Sequence, residues 1–378
     1  MKVMKRTLNI AVIGAGWMGF VHSEAFLRVP STFPELDCQL ILHTIVDVNP
    51  DSAKNLARKC GYKNWTTRWQ DAVENKEIDI IDVCVPNFLH KEIVLAAAEA
   101  GKDILCEKPL GLNSQEDKEM VAAVEKNNVI NMVGFNYRRI PALQYVKQML
   151  DAGELGEIYR FHGIFLQDFY FDPNSPMTWR FKKATAGGGS LVTMGSHIID
   201  LACWLVGDIE ELCADVETIV KERKWPDGKL DTVEVDDATR ILVRFSEGFG
   251  GYIETCWMAL GRRVHIQFEI SGSKGAINFN SERLNEINFC AAEHSLTRGF
   301  KTILIGEAHP YGEHFYLKTG MGIGLKESYL IQMYEFAKAV LERKETDAPF
   351  RDGLRVDKII EAAQRSAEAR RWINLKND

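Results

Sequence analysis

The chain has 378 residues, 46% of them hydrophobic, which is enough for two domains of ordinary size with real cores. Its net charge of −7 and its short basic clusters exclude a nucleic-acid scaffold, and we expect no apolar stretch as long as a transmembrane helix, hence no membrane partner. The eight cysteines form no Cys-x-x-Cys pair, which predicts buried free thiols in a reducing cytoplasm and no metal site.

The first third of the chain alternates short apolar runs with helical patterns. We predict strands over 8–13, 39–46, 78–85, 103–106 and 129–134, and helices over 18–29, 50–60, 88–100 and 114–126. Pro30 is expected to end the first helix, and Gly61 and Gly101 to follow the ends of the next two. Strands that alternate with helices predict a doubly wound parallel sheet.

The pattern changes after residue 135. Helices are predicted over 142–152, 188–205, 328–343 and 356–371, and strands over 238–245, 250–258, 264–271 and 276–279. Glu247-Gly248 and Gly272-Ser273 are typical of hairpin turns, and consecutive strands predict a mostly antiparallel sheet. We therefore predict an α/β protein with two domains, 1–135 and 136–378.

Gly14, Gly16 and Gly19 form a G-x-G-x-x-G motif between the first strand and the first helix. In that context the first glycine permits a tight turn, the second lets the backbone approach a pyrophosphate, and the third allows close helix packing. Trp17 and Met18 would lie at the helix N-terminus that faces the anion. A tight turn without a ligand is the alternative.

Polar side chains follow the second and third strands. Asp47 can accept hydrogen bonds from the adenosine ribose and would repel a 2′-phosphate, which favours NAD over NADP; a place near the next helix cap is the alternative. Pro86 and Asn87 follow the third strand, and Asn87 could contact the ribose or the nicotinamide, or be a plain turn residue. His90, one helical turn later, is a cofactor ligand or a structural residue.

Lys108 lies in Glu107-Lys108-Pro109, just past a short apolar strand. Oxidation of an alcohol needs a group that takes the hydroxyl proton and a group that stabilises the developing alkoxide. A lysine ammonium is suited to the second role. The alternative is a surface lysine in a loop.

The Gly-rich run 187–189 leads into a predicted helix on which Thr193, His197, Asp200 and Trp204 share one face. A neutral His197 could act as general base, with Asp200 orienting it. A structural histidine is the alternative.

Taken together, the 14–19 motif, Glu107-Lys108-Pro109 and the segment 187–200 resemble the Gfo/Idh/MocA family, the glucose–fructose oxidoreductase and inositol dehydrogenase type, over nearly the whole chain. The resemblance implies a Rossmann domain followed by an α/β domain whose open sheet builds homodimers or homotetramers. It implies that Lys108 and His197 are catalytic and that Lys108-Pro109 is a cis bond. The family has an aspartate where this chain has Thr193, so the base role rests on His197.

The same resemblance implies further contacts with NAD and with the substrate. Phe135 to Arg139 resembles the family's segment after the last Rossmann strand, and the loop 168–181 resembles one that approaches the nicotinamide or substrate; an ordinary packed loop is the alternative. The additional cofactor candidates are Glu107, Asn136, Trp179 and Arg180, and the additional substrate candidates are Arg138, Asp168 and, more weakly, His309.

We therefore predict a cytoplasmic, NAD-dependent oxidoreductase that acts on a ring hydroxyl of a sugar, a sugar derivative or a cyclitol. The insertion 169–177 and the run 179–181 look most like the levoglucosan dehydrogenase branch, with glucoside 3-dehydrogenases as neighbours. Two alternatives stay open: an NAD-dependent glycosidase that works through a 3-keto intermediate, and a non-catalytic, dinucleotide-binding regulator.

Overall fold

The computed structural model describes residues 6–293, 296–318 and 320–377, so the outermost residues of the two predicted domains lie outside the described part. Its strands are β1 (Arg6–Ile13), β2 (Cys38–Val46), β3 (Asn64–Thr66), β4 (Ile80–Val83), β5 (Asp103–Cys106), β6 (Asn131–Val133), β7 (Ile158–Leu166), β8 (Ile209–Glu217), β9 (Glu222–Lys224), β10 (Leu230–Thr232), β11 (Ala238–Phe245), β12 (Gly250–Cys256), β13 (His265–Gly272), β14 (Gly275–Asn280), β15 (Glu286–Ala291), β16 (Lys301–Leu304) and β17 (Ile373–Asn374).

The α-helices are α1 (Trp17–Thr32), α2 (Pro50–Cys60), α3 (Trp69–Val73), α4 (His90–Glu99), α5 (Ser114–Lys126), α6 (Pro141–Asp151), α7 (Lys183–Ala186), α8 (Ser196–Val206), α9 (Gly312–Phe315), α10 (Leu325–Glu342) and α11 (Phe350–Ala369).

Six parallel strands form the first sheet in the order β3-β2-β1-β4-β5-β6, which confirms the predicted doubly wound sheet. Ile10, Ala11 and Val12 of the central strand are completely buried, because parallel sheets of this kind are covered on both faces. The strand order reverses between β1 and β4. Ligands bind at the carboxyl ends of the strands at such a reversal.

Cap residues in the sequence predicted the ends of α2 correctly, but a proline gave a wrong end for α1. The bounds of α2 are as predicted, because Asn49 accepts hydrogen bonds from the first turn and Gly61 follows with a φ of 74°. The expectation that Pro30 ends α1 is wrong. Pro30 lies in the last turn, the helix continues to Thr32, and the Phe33 N–H bonds to the Val29 carbonyl oxygen.

Nine strands form the second sheet in the order β16-β15-β14-β13-β7-β12-β11-β8-β17, and only β7 and β12 pair in parallel among them. This arrangement confirms a mostly antiparallel sheet. The sequence did not predict β7, although it lies in the middle. Its inward row is Phe161, Gly163 and Phe165, and the missing side chain at Gly163 weakens the alternation. That gap lets Ile198 of α8 approach the sheet.

The segment 183–206 differs from the single helix predicted over 188–205. A π-helical turn at Leu191–Gly195 precedes α8. The segment is also long and apolar enough to cross a membrane by composition, contrary to our expectation, but 89% of its most apolar window is buried in the protein. Burial as a core helix accounts for its composition.

The chain divides into two compact units. The first comprises Met1–Arg139 and Gly324–Leu354, and the second comprises Ile140–Ile323 and Arg355–Asp378. The segment Gly324–Leu354, which includes α10, therefore returns to the first unit. The domain bounds 1–135 and 136–378 stay a prediction.

Candidate functional site

The three glycines of the loop between β1 and α1 are needed for different reasons. Gly14 has a φ of 109°, and a Cβ there would lie 2.5 Å from the Cys84 carbonyl oxygen. A Cβ on Gly19 would lie 1.8 Å from the Gly14 carbonyl oxygen, whereas a Cβ on Gly16 would meet no described atom within 4 Å. The loop is thus closed towards the sheet and open at Gly16, as required of a backbone that an anion approaches.

The start of α1 is suited to an anion. Gly16 has no side chain that could cap the helix, so the first N–H groups of α1 lack a side-chain cap. Trp17 is 68% exposed and Met18 is half-buried in this first turn. Their predicted contact with a cofactor stays a prediction.

Asp47, directly after β2, braces the glycine loop. Its Oδ2 accepts a hydrogen bond from the Ala15 N–H at 2.8 Å, and its Oδ1 accepts one from the Asn49 N–H at 2.8 Å. Each carboxylate oxygen keeps a second lone pair, so the half-buried side chain could also accept a bond from a ribose hydroxyl. The helix cap of α2 is formed by Asn49, which weakens the alternative role for Asp47.

His90 is fully buried at the start of α4. Its Nε2 lies 2.9 Å from the Val85 carbonyl oxygen, and its Nδ1 lies 3.1 Å from the Pro109 carbonyl oxygen. Burial lowers the pKa of His90, although the carbonyl contacts act in the opposite direction. This environment favours a structural role. The predicted cofactor contacts of His90 and of the half-buried Pro86 and Asn87 stay predictions.

Lys108, the second residue after β5, is half-buried, and its bond to Pro109 is cis, as the resemblance implied. It therefore lies at the carboxyl edge of the sheet, like the glycine loop. The preceding Glu107 points inward: a Cβ on Gly134 would lie 2.7 Å from its Oε1, and its Oε2 accepts the Lys108 N–H at 3.2 Å. This placement favours a supporting role for Glu107, whose predicted cofactor contact stays a prediction.

Asn136 and Arg138 are buried within the first unit. The Asn136 side chain donates to the Ser328 hydroxyl at 2.9 Å. Arg138 is 1% exposed and forms an ion pair with Asp352 at 2.8 Å. It also donates to the Asp347 carbonyl oxygen. These partners favour structural roles, and the predicted cofactor and substrate contacts stay predictions.

In the second unit, the buried carboxylate of Asp236 accepts hydrogen bonds from the start of the segment that leads into α8. Asp236 Oδ1 accepts the Gly189 N–H at 2.9 Å, and Oδ2 accepts the Leu191 N–H and the Ser190 hydroxyl, both at 2.7 Å. A Cβ on Gly189 would lie 1.9 Å from the Asp236 carbonyl oxygen. The Gly-rich run is therefore a place of close backbone approach, and a distant acid accepts the N–H of Leu191, the first residue of the π-helical turn.

We expect Asp236→Ala to lower the free energy of unfolding by about 2–4 kcal/mol, because several buried donors would lose their acceptor. Chemical denaturation followed by tryptophan fluorescence measures the change. Asp215→Ala is the matched control: this carboxylate on β8 is 73% exposed and pairs with Arg240, so no measurable loss is expected. Equal losses in the two variants would contradict the capping role.

His197 lies in the first turn of α8, 7% exposed, with its ring centroid 6.0 Å from that of Phe165 on β7. Asp200, one turn later, is 1% exposed. Thr193 lies in the π-helical turn, where its N–H bonds to the Gly189 carbonyl oxygen. A π-helical turn has more residues per turn than an α-helix. The angle between Thr193 and His197 around the helix axis therefore differs from the angle in the continuous α-helix that was assumed when the two were predicted to share a face.

A buried arginine on β9 organises the loop 168–181. Arg223 is 1% exposed and donates to the carbonyl oxygens of Tyr170 at 2.9 Å, Asp172 at 2.8 Å and Ser175 at 3.2 Å. Three carbonyl bonds from one rigid guanidinium fix the path of the loop backbone. Such pre-organisation is expected of a binding loop.

The predicted site residues of this loop differ in exposure. Asp168 is 8% exposed and its Oδ2 accepts the Gly261 N–H at 3.3 Å. Trp179 is half-buried, and the exposed Arg180 places its guanidinium 4.5 Å from the Trp179 ring centroid. Their contacts with cofactor or substrate stay predictions.

His309 lies in the loop after β16, half-buried. Its Nδ1 accepts the Gly306 N–H at 3.0 Å, and its ring meets Tyr145 edge-on with centroids 4.7 Å apart. An accepting Nδ1 leaves the proton on Nε2, which could donate to a substrate oxygen. The predicted substrate contact stays a prediction.

Three functional candidates escaped the sequence analysis: His22, Arg223 and Asp236. One signal was available for His22, since Gly19, His22 and Phe26 follow helical spacing and place the imidazole on the inward face of α1. Asp236 and Arg223 carried no comparable pattern, because their partners lie 45–53 residues away along the chain.

Two family matches cover most of the chain. Residues 8–135 match the family described as oxidoreductase family, NAD-binding Rossmann fold, and residues 143–278 match the GFO/IDH/MocA C-terminal domain. The levoglucosan dehydrogenase of Pseudarthrobacter phenanthrenivorans is 38% identical over 384 residues, covering 98% of each chain. The myo-inositol 2-dehydrogenase of Thermotoga maritima is 26% identical over 370 residues, covering 98% of this chain and 99% of its own.

The fold is similar to that of a solved relative. A structure of levoglucosan dehydrogenase in complex with NADH and levoglucosan superposes with a TM-score of 0.95 at 39% identity, covering 98% of this chain and 100% of that chain. Its apo form gives the same TM-score at 38% identity.

Proposed function

Because this chain belongs to the Gfo/Idh/MocA family of oxidoreductases, whose N-terminal domain is an NAD-binding Rossmann fold, we propose that it oxidises a ring hydroxyl of a sugar, a sugar derivative or a cyclitol, or reduces the corresponding ketone. The family includes NAD-dependent sugar and cyclitol dehydrogenases. Among these classes, the near full-length similarity to levoglucosan dehydrogenase favours an anhydro sugar or another pyranose as the substrate.

The residues present fit NAD as the cofactor. The open backbone at Gly16 and the uncapped start of α1 would hold the pyrophosphate, and Asp47 would hold the adenosine ribose. When bound, NAD supplies the acceptor for the hydride that leaves the substrate carbon. Asp47 places a carboxylate beside the loop, which disfavours the extra phosphate of NADP.

Two side chains of the chain handle the proton and the charge. We assign to His197 the removal of the hydroxyl proton, since an imidazole is a suitable general base near neutral pH. Lys108 stabilises the negative charge that develops on the same oxygen. With Thr193 where the family has an aspartate, no carboxylate shares the base role at that position.

One observation carries the proposal: Lys108 is a half-buried cation at the same sheet edge as the glycine loop, after β5, whose neighbour β4 borders the reversal of strand order where ligands bind. The test is to incubate the purified protein with NAD and levoglucosan, glucose, methyl glucosides or inositols and to follow NADH absorbance. We expect steady NADH formation with at least one pyranose or inositol.

The same assay separates the rival activities. A glycosidase that regenerates its cofactor would release sugar from a glycoside without net NADH. A regulator would bind NADH without turnover of any carbohydrate in the panel. Either result would overturn the proposed dehydrogenase.

Asp47→Ser is expected to raise the ratio of NADPH affinity to NADH affinity by about 10- to 100-fold, because the repulsion of the 2′-phosphate disappears and the ribose loses an acceptor. Titration of both nucleotides by quenching of tryptophan fluorescence measures the ratio without any substrate. Asp51→Ser removes the same charge from the exposed first turn of α2 and serves as the control. If Asp47→Ser and Asp51→Ser give the same ratio of NADPH affinity to NADH affinity, Asp47 has no part in cofactor choice.

We also propose that a second copy of the chain covers the outer face of the second sheet. Apart from the exposed Arg160, the outward side chains of β7 and β12 are half-buried, and Leu242 of β11 is 51% exposed on the sheet. A broad face of this kind suits a homodimer or homotetramer. A cytoplasmic location stays a prediction.

A further inference from the structure

His22, which the proposed chemistry does not use, is completely buried between two carboxyl groups of the first unit. Its Nδ1 lies 2.9 Å from Asp82 Oδ2, and its Nε2 lies 3.2 Å from Glu107 Oε1. Asp82 belongs to β4 and Glu107 follows β5, so one imidazole connects the ends of two neighbouring strands to α1.

The charge state of His22 follows from these neighbours. Burial alone would lower the pKa of His22, but the Asp82 carboxylate raises it well above its usual value. Burial alone would raise the pKa of Glu107, but the contacts with His22 and Lys108 outweigh burial and lower it. An imidazolium beside an ionised Glu107 therefore compensates the charge of both buried groups.

A proton fits this cluster better than a metal ion. His22, Asp82 and Cys84 offer ligand atoms within 4.8 Å of one another. However, burial raises the pKa of the Cys84 thiol well above its usual value, and only a thiolate is a good metal ligand.

Glu107 in turn restrains the backbone of Lys108. While Oε1 faces His22, Oε2 accepts the Lys108 N–H at 3.2 Å, and Gly134 packs against the same carboxylate. The carboxylate is therefore restrained on three sides. Because His22 lies on the helix that begins at the glycine loop, the same contact joins the cofactor-facing helix to the loop that carries Lys108.

We propose that His22 is a positioning residue: as an imidazolium it fixes the Glu107 carboxylate, and through Glu107 it holds the backbone of Lys108 in the place required for hydride-transfer chemistry. The part of this inference that concerns catalysis rests on the proposed function. The positioning itself is a property of the first unit and can be measured without turnover.

Two substitutions separate the two contacts of His22. The amide nitrogen of glutamine can occupy the place of Nε2 and still donate to Glu107, whereas that of asparagine can occupy only the place of Nδ1 and donate to Asp82. For His22→Asn we expect kcat to fall about 10- to 100-fold with KM for NAD within about threefold of wild type. For His22→Gln we expect kcat to stay within about fivefold of wild type.

His43→Asn is the matched control. His43 is a buried histidine on β2 that contacts Glu77 at 3.2 Å and lies outside the Lys108 loop. We expect it to leave kcat unchanged. Equal kcat for His22→Asn and wild type, or equal losses in the Asn and Gln variants at position 22, would overturn the proposal.

Acylation of lysines, quantified by peptide mass spectrometry, tests the positioning without a substrate. A loosened loop exposes Lys108, so its acylation in His22→Asn is expected to be at least about threefold faster than in wild type, with Lys147 on α6 as the internal reference. Unchanged Lys108 labelling would overturn the inference even if sugars are oxidised. A labelling change in a protein that oxidises no carbohydrate would support the positioning while the proposed function fails.

Stability against pH gives a further readout. Asp82, Cys84, Glu107 and Tyr329 of α10 face the imidazole. Because the folded-state pKa of His22 is raised, its stabilisation is complete below its ordinary value of 6.5 and is lost as pH rises through the higher folded value. The excess stability of wild type over His22→Gln should therefore shrink with rising pH, and an excess independent of pH would contradict the imidazolium.

Discussion

We expect Lys108→Met and His197→Asn each to lower kcat for oxidation of the best carbohydrate by about 10²- to 10⁴-fold, the largest functional effects of any substitutions in this chain. Lys108→Met keeps the length of the side chain and removes the charge that stabilises the alkoxide. His197→Asn keeps a polar group of similar shape and removes the general base. Initial rates of NADH formation at saturating NAD give kcat directly.

Binding must survive these changes if the residues act in catalysis. NADH titrations by fluorescence are expected to give dissociation constants within about threefold of wild type for both variants. Lys147→Met on α6 and the half-buried His162→Asn on β7 are the controls, and both should keep wild-type rates. Full activity in Lys108→Met or in His197→Asn would remove the role assigned to that residue.

The second large effect concerns the glycine loop. For Gly16→Ala we expect NADH affinity to fall at least about tenfold with no loss of stability, because the new methyl group meets no described atom within 4 Å but stands where the pyrophosphate would approach. For Gly19→Ala we expect a loss of about 3 kcal/mol in the free energy of unfolding, because its Cβ would lie 1.8 Å from the Gly14 carbonyl oxygen.

The two variants are controls for each other, since the same methyl group is added three residues apart. Nucleotide titration and denaturation on both proteins separate ligand contact from packing. Gly299→Ala, a loop glycine whose Cβ would meet no described atom within 4 Å, controls for the loss of glycine itself. Wild-type NADH affinity in Gly16→Ala would show that the loop does not receive the pyrophosphate.

Predictions from sequence succeeded where the controlling physics is local. The bounds of α2 and α5 are as predicted because each helix starts at an asparagine cap. The Gly248 turn is as predicted because only a short loop with positive φ joins β11 to β12.

Predictions were less complete where a partner lies far along the chain. The sequence marked Arg138 as a substrate candidate, yet its charge is compensated by Asp352 within the first unit. Asp236 and Arg223 gave no local signal, although each holds a segment that carries predicted site residues. The central strand β7 was missed because Gly163 in its inward row contributes no side chain to the pattern.

Sequence alone determined the two sheets, because hydrophobic periodicity and glycine conformation depend on neighbours a few residues away. Its motifs also identified the family by resemblance and, through it, the residues proposed for chemistry, Lys108 and His197. Only the tertiary structure decided which groups support that chemistry. His22 contacts a carboxylate 60 residues away, and Asp236 accepts the N–H of Leu191, the first residue of the π-helical turn, 45 residues away. Buried charges find their partners through chain folding, and neither periodicity nor local conformation encodes which distant residue that partner will be.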